Sequence, residues 1–277
     1  MNKYVFAFDL DGTLFTKGDN IHPETLEALK TSHSKGHYNV LATGRNICDL
    51  YRFLKKEAIK HIDYFVCSNG SLLYDVKNDI VTVLGTMNFE ELIPVVLDIN
   101  QKYGKPFRMD TDKTTGVFKD QTSAGYVLLK EKDKTVEKEM TFLEYLDFIK
   151  QSGAKIVQSA FRNDEAEALE VTEYAREKLN KEEFAVYLTN GVYTDINHIH
   201  TSKLTGLDYF LKLVGLTRAN LITFGDSGND IHMLEAASMS FALGNATDDA
   251  KQAAKAVIDD HNTGTIGQKL LEILASN

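Results

Sequence analysis

Cysteine is scarce in this sequence, since only Cys48 and Cys67 occur among its 277 residues. Small disulfide-stabilised domains carry far more thiols for their length, whereas two cysteines in a chain of this size are typical of reduced side chains in the cytoplasm. We therefore expect a cytoplasmic protein without a disulfide framework. The chain also begins with a strand-like segment and lacks the long apolar region of a signal peptide, which agrees with that expectation.

Long apolar runs and an excess of positive charge are missing as well. No stretch approaches the roughly 18 consecutive apolar residues that a membrane-spanning helix needs, so we expect no such helix. The formal net charge is −9. A negative charge of this size argues against a nucleic-acid partner and against an anionic membrane surface.

Alternating strand and helix patterns run through both ends of the chain. The apolar segments 4–10, 38–44 and 63–70 are predicted strands, and the amphipathic segments 23–36 and 46–59 between them are predicted helices. Strands separated by helices of this length form parallel βαβ units. The same alternation returns after residue 200, so we predict an α/β fold with a doubly wound parallel sheet.

The middle of the chain follows a different pattern. Three strand-like segments succeed one another between residues 106 and 130 without a helix, which indicates antiparallel pairing. Thr141 and Glu144 form a capping box that starts a helix. Asn190 and Gly191 are typical of a type I′ turn between two strands. The charged run 130–140 is predicted to be an exposed turn.

These two patterns predict two domains. We expect residues 1–82 and 191–277 to form the main α/β domain and residues 83–190 to form an inserted α+β domain. The predicted linkers lie near 80–86 and 188–200, and each contains a glycine that can absorb backbone rotation, Gly85 or Gly191.

Polar side chains follow the predicted strands of the main domain at the points where those strands end. They are Asp9, Asp11, Thr43, Ser68, Asn69 and Asp226. Ligands of open α/β sheets bind outside the carboxyl ends of the strands, so one site can collect all of these groups.

Asp9 and Asp11 stand two residues apart and therefore project to the same side of an extended segment. Two carboxylates on one side can bind a hard cation such as Mg²⁺, or one can attack an electrophile while the other moves a proton. Gly12 lets the chain turn sharply and brings backbone N–H groups toward an anion. The segment 225–230 adds Asp226 and Asp230, and this many acidic groups in one crevice call for a divalent cation.

Four motifs together resemble those of the haloacid dehalogenase superfamily. They are DLDGTL (9–14), ATGR (42–45), Lys203 and GDSGNDIHM (225–233). The inserted module at 83–190 resembles the large α/β (class IIB) cap of the Cof-type subfamily, a group of cytoplasmic, Mg²⁺-dependent phosphatases. The resemblance implies a Rossmann-like core with an inserted cap, and an enzyme that hydrolyses small phosphorylated metabolites such as sugar phosphates or phosphorylated cofactors.

The resemblance also implies roles for individual residues. Asp9 resembles the nucleophile that becomes an aspartyl phosphate, and Asp11 the general acid/base. Thr43 resembles the hydroxyl that binds the phosphoryl group, and Lys203 the cation that neutralises it. The implied metal ligands are Asp9, Asp11 through its backbone carbonyl, Asp226 and, directly or through water, Asp230. The expected phosphate- and substrate-binding residues are Gly12, Thr43, Gly44, Asn69, Lys203 and Asn229.

Two other functions remain compatible with these residues. A phosphomutase uses the same aspartyl phosphate but returns the phosphoryl group to the sugar. A sensor that binds a phosphorylated metabolite without turnover is the non-enzymatic alternative, although it needs neither a nucleophile nor an acid/base. We expect a monomer or a small homo-oligomer.

Several further residues have an ordinary structural interpretation beside a functional one. His198 and His200 form an H-x-H pair that could bind a metal, but we expect them in the hinge before Lys203. In the cap, Lys105, Arg108 and Tyr193 are candidate contacts to the leaving group, and each could instead be an ordinary surface or strand residue.

Overall fold

The structure is a computed structural model of the chain and describes residues 3–132 and 134–276. The first part of the chain forms β1 (Val5–Phe8), β2 (Phe15–Thr16), β3 (Asn20–Ile21), α1 (Pro23–Ser34), β4 (Tyr38–Ala42), α2 (Ile47–Lys55), β5 (Tyr64–Cys67), β6 (Leu72–Asp75) and β7 (Ile80–Val83). The middle part forms α3 (Phe89–Tyr103), β8 (Phe107–Thr111), β9 (Thr114–Phe118), β10 (Gly125–Lys130), β11 (Thr135–Met140), α4 (Phe142–Ser152), β12 (Ile156–Arg162), α5 (Ala168–Lys178), β13 (Phe184–Thr189) and β14 (Tyr193–His198). The last part forms α6 (Lys203–Leu213), β15 (Leu221–Gly225), α7 (Ile231–Ala236), β16 (Met239–Ala242), α8 (Asp248–Ala253), β17 (Ala256–Val257) and α9 (Thr265–Ala275).

The first and last parts of the chain share one sheet, which we call the core sheet. Its strand order is β17-β16-β15-β1-β4-β5-β6-β7. All neighbours from β17 to β5 are parallel, which confirms the predicted doubly wound α/β fold. Strands β6 and β7 extend the sheet in antiparallel fashion, and the sequence patterns did not predict this extension.

Both faces of the core sheet are covered by helices. Along β1, Phe6 and Phe8 pack with α1, α2 and α9 on one face. Val5 and Ala7 pack with α6 and α7 on the opposite face. Because successive side chains of a strand point to opposite faces, a strand buried on both faces is apolar at every position, as 5–8 are.

The middle part of the chain forms a second sheet with the strand order β11-β10-β9-β8-β12-β14-β13, in which all neighbours are antiparallel. One face packs against α3, α4 and α5 through an apolar cluster that includes Phe107, Phe118 and Phe161. The opposite face turns toward the core domain, since Leu128 of β10 packs within the core cluster.

Two local predictions in this part are confirmed and one is wrong. Thr141 caps α4 through the predicted box with Glu144, and Asn190 and Gly191 form the turn between β13 and β14 with φ of 51° and 68°. The prediction of an exposed turn over 130–140 is wrong for residues 135–140, because they form β11 and pair along β10 at the sheet edge. Charged side chains on an edge strand discourage pairing with further strands, which explains their presence there.

The connections between the two sheets are short. Residues 84–88 lead into α3 and residues 199–202 lead back to α6. The predicted linker at 188–200 is wrong, because most of it is β13 and β14, and Gly191 lies at a hairpin tip. At the first connection, a Cβ on Gly85 would lie 2.2 Å from Cγ2 of Thr201, so the two connections touch. We propose that the inserted unit spans about residues 84–202 and not 83–190, because the second sheet continues through β14.

Among the described residues, every helix is too short or not apolar enough to cross a membrane.

Candidate active site

Two carboxylates follow β1 at the carboxyl end of the core sheet. The backbone N–H of Asp9 donates to the carbonyl oxygen of Phe224 (2.9 Å), which extends the pairing with β15 by one residue. Leu10 is fully buried, whereas Asp9 and Asp11 both line one cavity. The two acids therefore lie on one side of the chain, as the strand periodicity predicted. Asp9 is buried, while the Asp11 side chain is 34% exposed.

Lys203 brings a buried positive charge to Asp9. It is the first residue of α6, which Ser202 caps, and it is 1% exposed. Its Nζ donates to Oδ1 of Asp9 (2.5 Å) and to Oδ1 of Asp230 (2.7 Å). Burial by itself lowers the pKa of Lys203, but the two carboxylates outweigh burial and raise it, so the ammonium stays charged.

The loop after β15 places two further carboxylates. Oδ2 of Asp230 accepts hydrogen bonds from the backbone N–H groups of Asp226 (2.9 Å) and Ser227 (3.0 Å). Oδ1 of Asp226 accepts from the Thr13 hydroxyl (2.8 Å). Gly12, with φ of +84°, passes so close that a Cβ there would lie 2.5 Å from Oδ2 of Asp226. Only glycine allows this approach of the two motifs.

Asp9, Asp226 and Asp230 form a buried group of carboxylates that could hold a metal ion. One oxygen from each lies within 4.8 Å of the others. Burial raises the pKa of Asp9 well above its ordinary value, with Lys203 opposing and Asp230 adding to the effect. Burial and Asp230 raise the pKa of Asp226 to about 6. Three carboxylates against one ammonium carry excess negative charge, and all-oxygen donors suit Mg²⁺, so these residues fit the ion.

Asp11 is held by an arginine that the sequence analysis treated as part of a motif without a role. Nε of Arg45 donates to Oδ2 of Asp11 (2.7 Å) and Nη2 donates to Oδ1 (2.5 Å). The guanidinium also lies 4.8 Å from the ring centroid of Phe53. Burial acts to lower the pKa of Arg45, and Asp11 outweighs it and raises the pKa, so the guanidinium stays charged. A two-point contact of this kind fixes the orientation of the carboxylate.

Amide and hydroxyl groups complete the rim of the crevice. The Thr43 hydroxyl accepts from the backbone N–H of Arg45 (3.1 Å), which leaves its own proton free to donate. Oδ1 of Asn69 accepts from Nδ2 of Asn229 (3.0 Å). Nδ2 of Asn69 donates to Oδ2 of Asp195 (3.3 Å). Asn69 thus joins the core loop after β15 to β14 of the second sheet.

A cavity of about 350 Å³ lies between the two sheets, at the carboxyl end of the core sheet. The core side contributes Asp9, Asp11, Thr43, Gly44, Arg45, Asp49, Ser227 and Asn229. The second sheet and its hairpin contribute Arg108, Thr189, Asn190, Tyr193 and Asp195. This volume is in the range of small-molecule sites.

Most residues that the sequence singled out come together around this cavity. Gly12 lies beside Asp226, and its carbonyl oxygen accepts from Asn245 (2.8 Å). Among the cap candidates, Arg108 and Tyr193 line the cavity. Lys105 instead pairs with Asp164 and Glu167 and is not part of the cavity lining.

Of the histidine pair, His200 lies in the return connection, as expected, whereas His198 is the last residue of β14. The rings of His198 and His200 are 5.4 Å apart. The cluster that could hold a metal ion consists of Asp9, Asp226 and Asp230, and it includes neither histidine.

Three charged residues of the cavity were not predicted from the sequence: Arg45 as a partner of Asp11, and Asp49 and Asp195 in the wall. Asp49 lies in the first turn of α2, where an acid is ordinary. Asp195 lies inside a strand, and its only signal is that an acid in the middle of a strand is uncommon.

Comparison with known proteins gives a consistent result. Residues 6–270 match the family model described as haloacid dehalogenase-like hydrolase. The pyridoxal phosphate phosphatase YbhA of Escherichia coli is 27% identical over 275 residues, which cover 97% of this chain and 97% of that protein. The 5-amino-6-(5-phospho-D-ribitylamino)uracil phosphatase YcsE of Bacillus subtilis is 27% identical over 92% of this chain and 89% of its own length. A phosphoglycolate phosphatase of Nitrosopumilus maritimus is 26% identical over 99% of this chain and 96% of its own length.

Solved structures share the whole fold. A HAD/COF-like hydrolase of Plasmodium vivax superposes with a TM-score of 0.78 at 22% identity and covers 100% of this chain and 97% of its own. The HAD subclass IIB sugar phosphatase BT4131 superposes with a TM-score of 0.73 at 22% identity and covers 98% of this chain and 99% of its own. At 22% identity this similarity establishes the fold with its two sheets. The chemistry has to be inferred from the residues of the site.

Proposed function

We propose a function for this chain from one premise: it belongs to the haloacid dehalogenase-like hydrolase family. That membership confirms the resemblance of the four motifs and the prediction of an enzyme of the phosphatase type. The more specific proposal is that the chain is a Mg²⁺-dependent phosphatase of small phosphorylated metabolites and works through an aspartyl phosphate on Asp9. The observation that carries it is the burial of Asp9 against Lys203 at one end of the cavity, with Asp11 beside it.

Asp9 is the proposed nucleophile. Its carboxylate oxygen attacks phosphorus, the bond from phosphorus to the ester oxygen breaks, and the leaving oxygen takes the proton of the Asp11 carboxyl group, which enters this step protonated. Water then attacks the phosphorus of the aspartyl phosphate and gives a proton to Asp11. The bond to Asp9 breaks, inorganic phosphate leaves and both carboxyl groups return to their starting state.

The metal would be held by Asp9, Asp226 and the backbone carbonyl of Asp11. Asp230 is placed as a support, because its two oxygens already accept from Lys203 and from the backbone of the loop. When bound, Mg²⁺ would supply the positive charge that offsets repulsion between the attacking carboxylate and the phosphoryl oxygens. Lys203 contributes a second, permanent positive charge at the same place.

The phosphoryl group would be bound by donors on the core side. The free proton of the Thr43 hydroxyl and the ammonium of Lys203 point to this role, together with Gly44, Asn69 and Asn229 near the same end of the cavity. Arg45 is proposed as a positioning residue that orients Asp11. The similar proteins are named for pyridoxal phosphate, a phosphoribitylaminouracil and phosphoglycolate, which supports phosphomonoesters of small metabolites as the substrate class.

The test is release of inorganic phosphate from p-nitrophenyl phosphate and from a panel of phosphorylated metabolites, with Mg²⁺ and after treatment with EDTA. We expect release that EDTA abolishes and Mg²⁺ restores. Conversion of a sugar phosphate to an isomer without phosphate release would favour the phosphomutase. Binding of a phosphorylated metabolite without turnover would favour the sensor.

We also propose a cytoplasmic location. Cys48 and Cys67 are free and buried, which supports a reducing compartment. Fractionation of the cells that make the protein would test this proposal.

A further inference from the structure

The wall of the cavity opposite Asp9 belongs to the second sheet and has its own pattern of charge. Arg108 of β8 and Asp195 of β14 are both in register with Ala160 of β12. Residues directly opposite one another on neighbouring strands project to the same face, so these three side chains form one row. The small Ala160 lies between the two polar side chains in this row.

The positive charge in this row is already paired. Nε of Arg108 lies 2.9 Å from Oδ2 of Asp110, which is fully buried. Nη2 of Arg108 donates to the carbonyl oxygen of Gly44 (3.5 Å). Burial lowers the pKa of Arg108, but Asp110 and Asp195 outweigh it and raise the pKa, so the guanidinium stays charged. Its positive charge is therefore neutralised by protein carboxylates before a substrate binds.

The acids of this region outnumber its cation. Asp195 is 4% exposed and Asp49, from α2 of the core, lines the same cavity. Burial raises the pKa of Asp110 to about 6, so this acid is also ionised at pH 7.5. Burial also raises the pKa of Asp195, with Arg108 opposing the shift. Three carboxyl groups, those of Asp49, Asp110 and Asp195, therefore surround the single guanidinium of Arg108.

This excess sets a preference for the part of the substrate that lies away from the phosphoryl group. Carboxylates accept hydrogen bonds from hydroxyl groups, and the side chains of Thr189 and Asn190 on the same wall can do so too. A carboxylate on the substrate would instead meet like charges inside a partly enclosed site, where their repulsion is stronger than in water.

We propose that Asp195 and Asp49 make this enzyme select phosphomonoesters with an uncharged, hydroxylated leaving group and discriminate against those whose leaving group carries a carboxylate. The proposal rests on the phosphatase function above and adds the class of leaving group. An opposite possibility, that Arg108 recruits a carboxylate, is tested by the same experiment.

Two matched pairs of substrates measure the preference. Sorbitol 6-phosphate and 6-phosphogluconate have the same chain length and differ by a hydroxymethyl group against a carboxylate. The compounds 2-hydroxyethyl phosphate and 2-phosphoglycolate are the short equivalents. In at least one pair, we expect kcat/KM for the neutral member to exceed that for the acid by about tenfold or more. Equal or higher kcat/KM for the acid in both pairs would overturn the proposal.

Two variants assign the preference to residues. Asp195→Asn and Asp49→Asn keep the size of each side chain and remove its charge, and each should lower the neutral-to-acid ratio about threefold or more. Asp147→Asn, a matched change on the exposed side of α4, should leave the ratio as it is. Thermal unfolding of each variant checks that it is folded. A ratio unchanged in both folded cavity variants would contradict the assignment.

Failure of the phosphatase function itself would look different. In that case p-nitrophenyl phosphate and all four matched compounds would release no Mg²⁺-dependent phosphate. If p-nitrophenyl phosphate is hydrolysed and the members of each pair are used equally, only the proposed discrimination by charge is overturned.

Discussion

The core sheet and the second sheet face each other across one cavity, but they place their polar side chains by different means. On the core side, Asp9, Thr43 and Asp226 each follow the end of a parallel strand, and glycines beside them let the loops approach. On the other side, Arg108 and Asp195 meet because β8 and β14 both pair with β12. The core arrangement is local in sequence, whereas the other depends on the register of strands that are far apart in the chain.

The difference has a functional consequence under the proposal. The groups that would make and break bonds belong to the core, where a short motif carries its own turn and its own carboxylates. The groups that would choose the leaving group belong to the second sheet, where single substitutions can change one wall without moving the core. Damage to the core should therefore abolish activity, whereas damage to the second sheet should shift preference or stability.

The largest expected effect comes from Asp9→Asn. An amide cannot serve as the nucleophile, so phosphate release should fall by about 10⁴-fold or more. Steady-state assays with p-nitrophenyl phosphate measure the loss, and thermal unfolding confirms the fold. The exposed change Asp147→Asn is the control and should leave turnover unchanged. A folded Asp9→Asn protein that keeps a tenth of wild-type turnover would remove Asp9 from its proposed role.

Asp11→Asn should give a smaller loss that depends on the leaving group. Removing the acid/base should slow a sugar phosphate by about 10²–10⁴-fold, whereas the first step with p-nitrophenyl phosphate should suffer less because its leaving group needs little protonation. Hydrolysis of the aspartyl phosphate should still be slow, so rapid-quench measurements should show a burst of about one p-nitrophenol per site.

Metal binding provides a check on the role of Asp11. The increase in thermal stability caused by Mg²⁺ should be kept in Asp11→Asn, since the Asp11 side chain is bound by Arg45 and lies outside the carboxylate group. Equal loss of the first step on both substrates without a burst would assign Asp11 another role.

Lys203→Met should lower stability as well as activity. The change leaves the buried Asp9 and Asp230 without their cation, and breaking a buried ion pair from one side costs about 3–5 kcal/mol. Urea unfolding with EDTA measures the loss, and Mg²⁺ should offset part of it if the carboxylates bind the ion. Lys212→Met, at the exposed end of the same helix, is the control. A loss below about 1 kcal/mol would mean that the core charges are not coupled as described.

The smallest effect is expected from Asp110→Asn in the second sheet. This change should alter how the free energy of unfolding depends on pH. Burial raises the pKa of Asp110 to about 6, while Arg108 opposes the shift and Asp49 and Asp195 add to it. Because the folded pKa lies above the unfolded one, the stability contribution is present below about pH 4 and is lost as pH rises through 6. The wild type should therefore lose up to about 3 kcal/mol more than Asp110→Asn between pH 4 and pH 8.

Urea unfolding at several pH values compares the two proteins, and their difference isolates Asp110 from the other acids. Parallel curves for the wild type and Asp110→Asn would show that the pKa of Asp110 is the same in the folded and the unfolded protein, with Arg108 cancelling the effect of burial.

Motif and periodicity were enough to predict the α/β core and the meeting of Asp9, Asp11, Thr43, Asn69 and Asp226 at one edge, since parallel strands end at the same edge. They were not enough for β11, an edge strand whose charged residues resemble an exposed turn, or for residues 188–200, which were predicted to be a linker and instead belong to the hairpin of β13 and β14. Arg45 was missed because an arginine in a motif does not indicate which carboxylate it will contact.

The amino-acid sequence by itself determined which short segments could turn sharply, carry paired carboxylates and end buried strands, because these properties depend on neighbouring residues. The tertiary structure alone decided that Lys203 would lie between Asp9 and Asp230, that Arg45 would hold Asp11, and that Asp195 would face the cavity beside Arg108. Each of these contacts joins residues separated by tens to hundreds of positions, and their distances depend on sheet register and domain packing. Local pattern cannot encode that register, because a slip of one residue would turn the same side chains to the opposite face of the sheet.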